Sequence, residues 1–330
     1  MSSTRLIRGS GLAVLIVVLF LSPVLLNIYW ISVIALAFIN ILLAVSLRTI
    51  KLLDLISLGH VGFTLVGAYG SALLVMKGGL PFWASLILAG LMSSMLALIL
   101  GYPFLKVKGI YFAVLTLLTA ETFRLIAYHW RKVTGGQIGL TRIPSPGQIN
   151  IPGIGALRFD DITGYYYIII VVVLVSLVIL YKIEHSHLNF KWRAIRDAEG
   201  LALSVGINSA RYKVINFSIA CFFAGIAGSL FAHYQHNLSA DFTSRFGVWT
   251  SIYLLVYMVV GGVDSFAGPI VGTFIIVIIS ELLRSIGEYQ PMVIGAIAIA
   301  VMLFMPEGII GVPDRVKSWV EKRKEQVKEI

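Results

Sequence analysis

The chain has 330 residues, of which 58% are hydrophobic and 13% are charged, and its mean hydropathy is +0.91. Because a soluble globular domain carries about 25% charged residues, this composition excludes a soluble protein and predicts an integral membrane protein. The net charge of +10 suggests a nucleic-acid partner, which must be compared with the distribution of basic residues along the chain. The single cysteine, Cys221, excludes a disulfide within the chain.

Apolar segments long enough to cross a bilayer recur from one end of the sequence to the other. A membrane-spanning helix needs about 20 mainly apolar residues, and ten segments are predicted on that criterion. They lie near residues 11–28, 31–47, 55–76, 81–101, 109–129, 164–181, 212–234, 247–263, 267–286 and 290–305. The first follows Arg5 and Arg8 as a signal peptide would, but it lacks a small-residue cleavage site, so we interpret it as a membrane helix. The predicted fold is an all-α polytopic helical bundle, with a transmembrane domain over 1–312 and a charged tail over 313–330.

Basic residues are divided unequally between the two sides of this predicted bundle. With ten spans, both termini lie on one side, and the segments there hold 18 lysines and arginines against 7 on the other side. The remaining one, Arg124, lies within a span. Cytoplasmic segments of membrane proteins carry the excess of basic residues, so both termini and residues 184–208 are predicted to be cytoplasmic. Topology thus accounts for much of the basic charge, and a nucleic-acid partner loses most of its support.

Residues 130–163 form a long external loop in this topology. Its glycines and prolines break regular structure and favour turns. Two interpretations remain open: a structured surface patch that receives something from outside, or a plain connector.

Residues 184–208 are predicted to form a short amphipathic helix on the cytoplasmic face. At about 100° per residue, its inward stripe consists of Ala194, Ala198, Leu201 and Val205, with Ile195 and Ala202 at the edge. The opposite side carries Arg193, Arg196, Asp197, Glu199 and Ser204. Gly206 is suited to end the helix, because glycine tolerates a left-handed cap. The segment is either a linker between two spans or a docking element for a soluble partner.

Clusters of small residues mark the expected contact faces between helices, because helices in lipid associate through close packing. The clusters include Gly59, Gly62 and Gly67 in the third span, Gly225 and Gly228 in the seventh, and Gly261, Gly262 and Gly268 near Pro269. The last cluster is predicted to bend or re-enter the bundle. The chain contains no Gly-Lys-Ser/Thr ending of a phosphate-binding loop, so any ATP hydrolysis belongs to another polypeptide.

Ionisable residues within a span suggest function, because they are costly to bury in lipid. Glu121 and Arg124 share one helix face and are expected to pair, and Thr116 lies nearby. They either line a polar pathway or simply satisfy each other, and the second interpretation is favoured. His60 is expected to be hydrogen-bonded near the inner boundary.

No motif in the sequence indicates an enzyme or a metal site. The histidine pairs at 185/187 and 233/236 have no second cluster to complete a ligand set. No Gly-x-Ser-x-Gly or His-Glu-x-x-His arrangement is present. We therefore expect no catalytic residue, no metal and no cofactor in this chain.

Several stretches, taken in their order along the chain, resemble one family. They are Ser57–Leu74, Leu105–Leu125, Thr134–Leu140, Trp192–Ala232 and Val259–Phe274. The combination is similar to the LivM-type permease subunit of bacterial and archaeal ABC importers for branched-chain amino acids.

That resemblance implies a set of partners and a coupling motif. The partners are two cytoplasmic ATP-binding subunits that hold ATP and Mg, a second, LivH-type permease and an external solute-binding protein. The family's coupling motif, E-x-x-A-x-x-x-G, falls here on Glu199, Ala202 and Gly206, with Ala198 before it. Arg193 and Arg196 would meet acidic groups at the rim of the ATPase groove. The chain departs from the family at Gly200-Leu201, where a second alanine is often found.

Three other readings remain open. A permease of the same class could carry urea, short amides or other amino acids. An ion-coupled secondary transporter would work alone and would need buried carboxylates matched to its ions. A membrane-embedded enzyme lacks any motif in its favour.

Overall fold

The computed structural model of the protein describes residues 22–23, 26–107, 109–147, 149–151, 155–157, 161–241, 244–305 and 307–311. The predicted first span lies outside these residues except for a few positions at its end. The predicted tail, 313–330, lies wholly outside them.

Helices make up most of the described chain. In order they are α1 (Ile28–Lys51), α2 (His60–Met76), α3 (Phe82–Phe104), α4 (Ile110–His129), α5 (Arg131–Thr134), α6 (Ile162–Glu184), α7 (His187–Asp197), α8 (Glu199–Ser204), α9 (Ser209–Gln235), α10 (Val248–Gly261), α11 (Gly268–Leu282) and α12 (Gln290–Phe304). Two 3-10 helices cover Leu283–Tyr289 and Ile309–Gly311.

Four short strands form two antiparallel pairs. They are β1 (Leu140–Thr141), β2 (Ile149–Ile151), β3 (Gly155–Leu157) and β4 (Asn237–Leu238). β1 pairs with β4, so Leu140 lies opposite Leu238, and β2 pairs with β3 as a hairpin. The first pair ties the loop after α5 to the end of α9.

Six stretches of the described chain are long and apolar enough to cross a membrane. They are α1, α3, α4, α6, α9 and a single run over Gly268–Gly311 that contains both α11 and α12. Two shorter apolar helices, α2 and α10, accompany them. The protein is therefore an all-α, multi-pass membrane protein, as the composition predicts, whereas the count of ten spans stays a prediction.

Contacts between distant residues define the two ends of the bundle. We call the end that carries Arg48 and residues 184–208 the basic end, and the opposite end, which carries residues 130–147, the loop end. At the basic end Arg48 contacts Val263, and at the loop end Tyr29 hydrogen-bonds Glu281. Gly262 precedes α11 and Gly308 follows α12, and these two glycines are in contact. The two helices of this apolar run are therefore antiparallel.

The centre of the bundle is α9, which packs most extensively against α3 and α2. The α2–α9 crossing brings backbone against backbone: a Cβ added at Gly67 would lie 2.4 Å from the Cα of Gly225. A Cβ at Gly228 would lie 2.0 Å from the carbonyl oxygen of Thr64. Small residues thus line the contact faces of the third and seventh predicted spans, as expected for helices in lipid.

Replacing Gly67 with alanine is expected to destabilise the bundle, because the added methyl group has no space at the α2–α9 crossing. Overpacking a close contact lowers stability by about 1–3 kcal/mol, and the thermal midpoint of the detergent-solubilised protein should fall. Gly295→Ala is the matched control, since a Cβ there meets nothing within 4 Å. Equal thermal midpoints for the two variants would contradict this packing.

Candidate functional site

Residues 184–208 fold as two helices, not as the single helix that the sequence predicts. α7 ends at Asp197 and α8 begins at Glu199, and between them Ala198 adopts φ −156° and ψ 83°. The predicted inward stripe is correct only in part, because Ala194 packs against a buried cluster that contains the predicted edge residues Ile195 and Ala202. Ala198, Leu201 and Val205 are exposed, whereas Trp192, Ile195 and Ala202 are buried.

Trp192 explains why the buried face differs from the prediction. Its side chain is fully buried, and its indole N–H donates to the carbonyl oxygen of Tyr212 at 3.2 Å. A tryptophan buries more apolar area than several alanines together, so it decides which side of α7 faces inward. The cluster around it contains Leu52, Leu53, Ile195 and Ala202. This cluster joins the end of α1 to α7 and α8.

The end of α8 agrees with the sequence prediction. Gly206 has φ +85°, and its N–H donates to Leu203 while the N–H of Ile207 donates to Ala202. These two hydrogen bonds form a Schellman motif, in which glycine accommodates the left-handed residue.

Glu199 is held by α9 and does not project freely. It accepts hydrogen bonds from Ser209 Oγ and Lys213 Nζ, both at 2.5 Å. This carboxylate therefore fixes α8 against the start of α9. Beside it lies an open groove of about 510 Å³, lined by Leu105, Lys106, Glu199, Leu203, Gly206, Ile207, Asn208, Ser209, Ala210 and Lys213.

The outer face of this segment combines apolar and basic side chains. Leu201 and Val205 are 68% and 69% exposed, and Leu203 is also exposed. Arg193 and Arg196 are exposed on α7. Such an apolar patch with a charged rim is typical of a surface that binds another protein.

An ion pair that sequence reasoning missed lies behind this segment. Arg48, near the end of α1, pairs with Glu184, the last residue of α6. From the sequence alone, Arg48 is only one of the many basic residues predicted to lie on the cytoplasmic side of the membrane. Residues 136 positions apart cannot be paired by local spacing, so the partnership depends on the tertiary fold.

The glycines predicted as packing or translocation residues all lie at close contacts. A Cβ at Gly59 would lie 2.3 Å from the carbonyl oxygen of Thr116, and one at Gly62 would lie 2.6 Å from the Cα of Ala120. Thr116 Oγ1 accepts from the N–H of Leu58 at 3.1 Å. These residues pack α2 on α4, which gives each of them a structural role.

The predicted bend near Pro269 is a tight turn between α10 and α11. A Cβ at Gly261 would lie 1.8 Å from the carbonyl oxygen of Gly268, and one at Gly268 would lie 1.8 Å from that of Gly262. Gly262 has φ +108°, a conformation that glycine adopts without a steric penalty. We call residues 262–267 the glycine turn.

Glu121 and Arg124 form the predicted pair within α4. The Arg124 Nε–H donates to Glu121 at 2.9 Å, and a second guanidinium nitrogen donates to the carbonyl oxygen of Ala240 at 2.8 Å. Arg124 is buried, whereas the Glu121 side chain is 28% exposed. The pair joins α4 to the chain after β4, and the alternative that it lines a translocation pathway stays untested. His60 is hydrogen-bonded as predicted, with Nε2 2.7 Å from Ser46 Oγ.

The loop end has structure of its own around the end of α9. His233 Nδ1 lies 2.7 Å from the carbonyl oxygen of Pro144, and His236 Nδ1 lies 2.9 Å from that of Ile143. On its other ring nitrogen, His233 hydrogen-bonds Ser71. Residues 140–144 are therefore a structured segment fixed on α9, and a part in receiving something from outside stays a prediction.

Known proteins resemble this chain over most of its length. The family model described as branched-chain amino acid transport system / permease component matches residues 29–306. The high-affinity branched-chain amino acid transport system permease protein LivM of Escherichia coli K12 is 30% identical over 298 residues, 85% of this chain and 69% of that protein. LivM of Salmonella typhimurium LT2 is 31% identical over 290 residues, 82% of this chain and 68% of that protein.

A second type of relative matches part of the chain. The permease protein LivH of Escherichia coli K12 is 28% identical over 143 residues, 43% of this chain and 45% of that protein. No solved structure matches the chain. The family match covers every long helix of the described bundle and the glycine turn, and the chain belongs to the family of permease components of branched-chain amino acid transport systems.

Proposed function

We propose that this chain is a membrane-spanning permease subunit of an ATP-binding cassette importer for branched-chain amino acids. The observation that carries the proposal is the likeness to LivM proteins, which are named for high-affinity transport of these solutes and align with 85% of the chain. The bundle would sit in the inner (plasma) membrane with ten spans, and both termini would be cytoplasmic.

The partners follow from the same likeness. A LivH-type permease would complete the membrane part, two ATP-binding subunits would supply hydrolysis, and an external binding protein would deliver the solute. The lack of a phosphate-binding loop in this sequence supports the assignment of ATP hydrolysis to a separate subunit. The structured segment at residues 140–144 is a candidate surface for the binding protein.

Docking of an ATPase at the basic end is supported by exposure and charge. Leu201, Leu203 and Val205 present apolar surface on α8, and the open groove lies beside them. Arg193 would pair with acidic groups at the rim of the partner's surface, and Arg196, whose Nε–H donates to Asp197 at 2.8 Å, would do so through its other N–H groups. Ala202 and Glu199, by contrast, would position α8 from behind, since both are engaged within the chain.

Transport would proceed by alternating access. Closure of the ATPase pair would displace α7 and α8, and the bundle would respond by exposing its passage to the other side. An ion-coupled mechanism would need a buried carboxylate for its ion, and it has less support because Glu121, a carboxylate within α4, already pairs with Arg124.

Uptake should require the whole assembly and internal ATP. We expect proteoliposomes with this chain, the LivH-type permease and the ATPase subunits to accumulate leucine, isoleucine or valine when the binding protein is present outside. Radiolabelled uptake with unlabelled competitors, including urea and acetamide, measures this. Uptake by this chain alone under an ion gradient would contradict the proposal, and stronger competition by urea or acetamide would reassign the solute.

Changing the exposed face of α8 should release the ATPase subunits. We expect the triple variant Leu201→Ser/Leu203→Ser/Val205→Ser to weaken ATPase binding at least about tenfold, because it removes apolar surface from three side chains that would be buried against the partner. Membrane insertion should be unchanged, since none of the three side chains is buried. Co-purification and uptake are the measurements.

The control for ATPase co-purification is Ile138→Ser, which changes an exposed apolar residue at the loop end. If the triple variant retained ATPase binding, or if the control also lost it, α8 would not be the docking element.

Single cysteines should report opposite sides of the membrane. Gln137 and Ser204 are exposed at the loop end and the basic end, and native Cys221 is buried. A membrane-impermeant maleimide should label Gln137→Cys in intact cells and Ser204→Cys only after permeabilisation. The reverse pattern would place the docking face outside the cell and defeat the proposed mechanism.

A further inference from the structure

We infer that the Arg48–Glu184 ion pair is the joint that transmits movement of α7 and α8 to the glycine turn between α10 and α11. This inference rests on the proposed function, since it assigns positioning residues for coupled transport. It concerns two residues that lie outside the coupling motif and away from the exposed face of α8.

One guanidinium group holds three parts of the bundle together. Two Arg48 nitrogens donate to the two carboxylate oxygens of Glu184, at 2.5 and 2.9 Å. The Nε–H donates to the carbonyl oxygen of Val263 at 2.8 Å, and a terminal N–H donates to that of Asp264 at 3.0 Å. The planar fork of arginine suits this geometry, which a lysine ammonium cannot reproduce.

The pair is shielded from water. The Arg48 and Glu184 side chains are 3% and 12% exposed. Surface ion pairs rearrange readily and contribute little, whereas a buried bidentate pair keeps one geometry. A displacement of Glu184 must therefore carry Arg48 and the two carbonyl groups along, or break either the two hydrogen bonds from Arg48 to Glu184 or the two from Arg48 to the carbonyl groups.

On one side, the joint is close to the proposed docking segment. Glu184 is followed by His185 and by Ser186, whose hydroxyl caps α7 by accepting from the N–H of Leu188. Trp192 and Glu199 then fix α7 and α8 to one another and to α9. Force applied to α8 thus reaches Glu184 through a short, ordered path.

On the other side, the joint ends at a turn that cannot move alone. Backbone contacts at Gly261, Gly262 and Gly268 leave no space between the ends of α10 and α11, and Gly308 packs on Gly262. Phe266 in the turn also packs edge-on against Tyr181 of α6, with ring centroids 5.3 Å apart. Moving the turn therefore moves α10 and α11 together with residues 307–308.

A neighbouring ion pair provides the contrast. Lys51 and Asp54, near the same end of α1, pair at 2.5 Å, but their side chains are 29% and 68% exposed. The hydrogen bonds described for this pair stay within one local turn. Asp54→Asn removes a charge from the same region without touching the joint, so it is the matched control.

The test uses the complete transporter in proteoliposomes and compares uptake with ATP hydrolysis. We expect Arg48→Lys and Glu184→Gln to assemble with the ATPase subunits and to hydrolyse ATP within about twofold of the unmodified complex. The ratio of solute taken up to ATP hydrolysed should fall at least tenfold. A merely structural role would lower assembly, hydrolysis and uptake in proportion and leave this ratio unchanged, and that result would overturn the inference.

The double variant Arg48→Met/Glu184→Met guards against misfolding of the single variants. Apolar residues often replace a buried ion pair without loss of stability, whereas removing one partner leaves a buried charge. We expect the double variant to assemble and still to show the low uptake ratio. Restored coupling, or failure to assemble, would overturn the inference.

The outcomes separate this inference from the proposed function. If the unmodified complex takes up no branched-chain amino acid, the proposed function fails and the joint fails with it. If the unmodified complex and Asp54→Asn transport normally and the joint variants keep the same ratio, the joint alone is refuted.

Discussion

Close backbone contact between α2 and α9 is the interaction on which the rest of the bundle depends. Lipid tails are as apolar as the helices, so little hydrophobic driving force holds the helices together, and they rely on packing and internal hydrogen bonds. Gly67 against Gly225 and Gly228 against Thr64 let the two backbones touch. With α9 held in this way against α2 and α3, the positions of both of its ends are fixed.

Those two ends organise the polar parts of the molecule. At the basic end, the start of α9 supplies Tyr212 and Lys213, which hold Trp192 of α7 and Glu199 of α8. At the loop end, His233 and His236 hold residues 143–144. Both surfaces proposed to receive partners are thus mounted on one buried helix, which has the rigidity that a precise contact requires.

The basic end also connects parts of the bundle that are distant in sequence. The cluster around Trp192 reaches the end of α1, and Arg48 reaches both α6 and the glycine turn. An apolar cluster tolerates small sliding movements, whereas a buried bidentate ion pair is sensitive to angle and distance. The two connections therefore suit different tasks: the cluster keeps α7 and α8 on the bundle, and the ion pair sets their orientation relative to α10 and α11.

The sequence by itself determined the membrane class, the nearly complete order of helices, the family resemblance, the small-residue faces and the Gly206 cap. These features depend on composition or on residues close together in the chain, where helical period and local hydrogen bonds are decisive. The Glu121–Arg124 pair belongs with them, because three residues along a helix bring the two groups to one face.

Only the tertiary structure decided which side of 184–208 faces inward, where it breaks, and what Arg48 binds. A helical wheel gives an alanine and a tryptophan the same weight. In the structure, burial of Trp192 against Leu52 and Leu53 decides which side of α7 faces the bundle. The helical pattern predicts that Glu199 points outward, but its carboxylate binds Ser209 and Lys213, because α9 lies within reach. Contacts of this kind are set by which helices become neighbours in space, and no spacing along the chain encodes them.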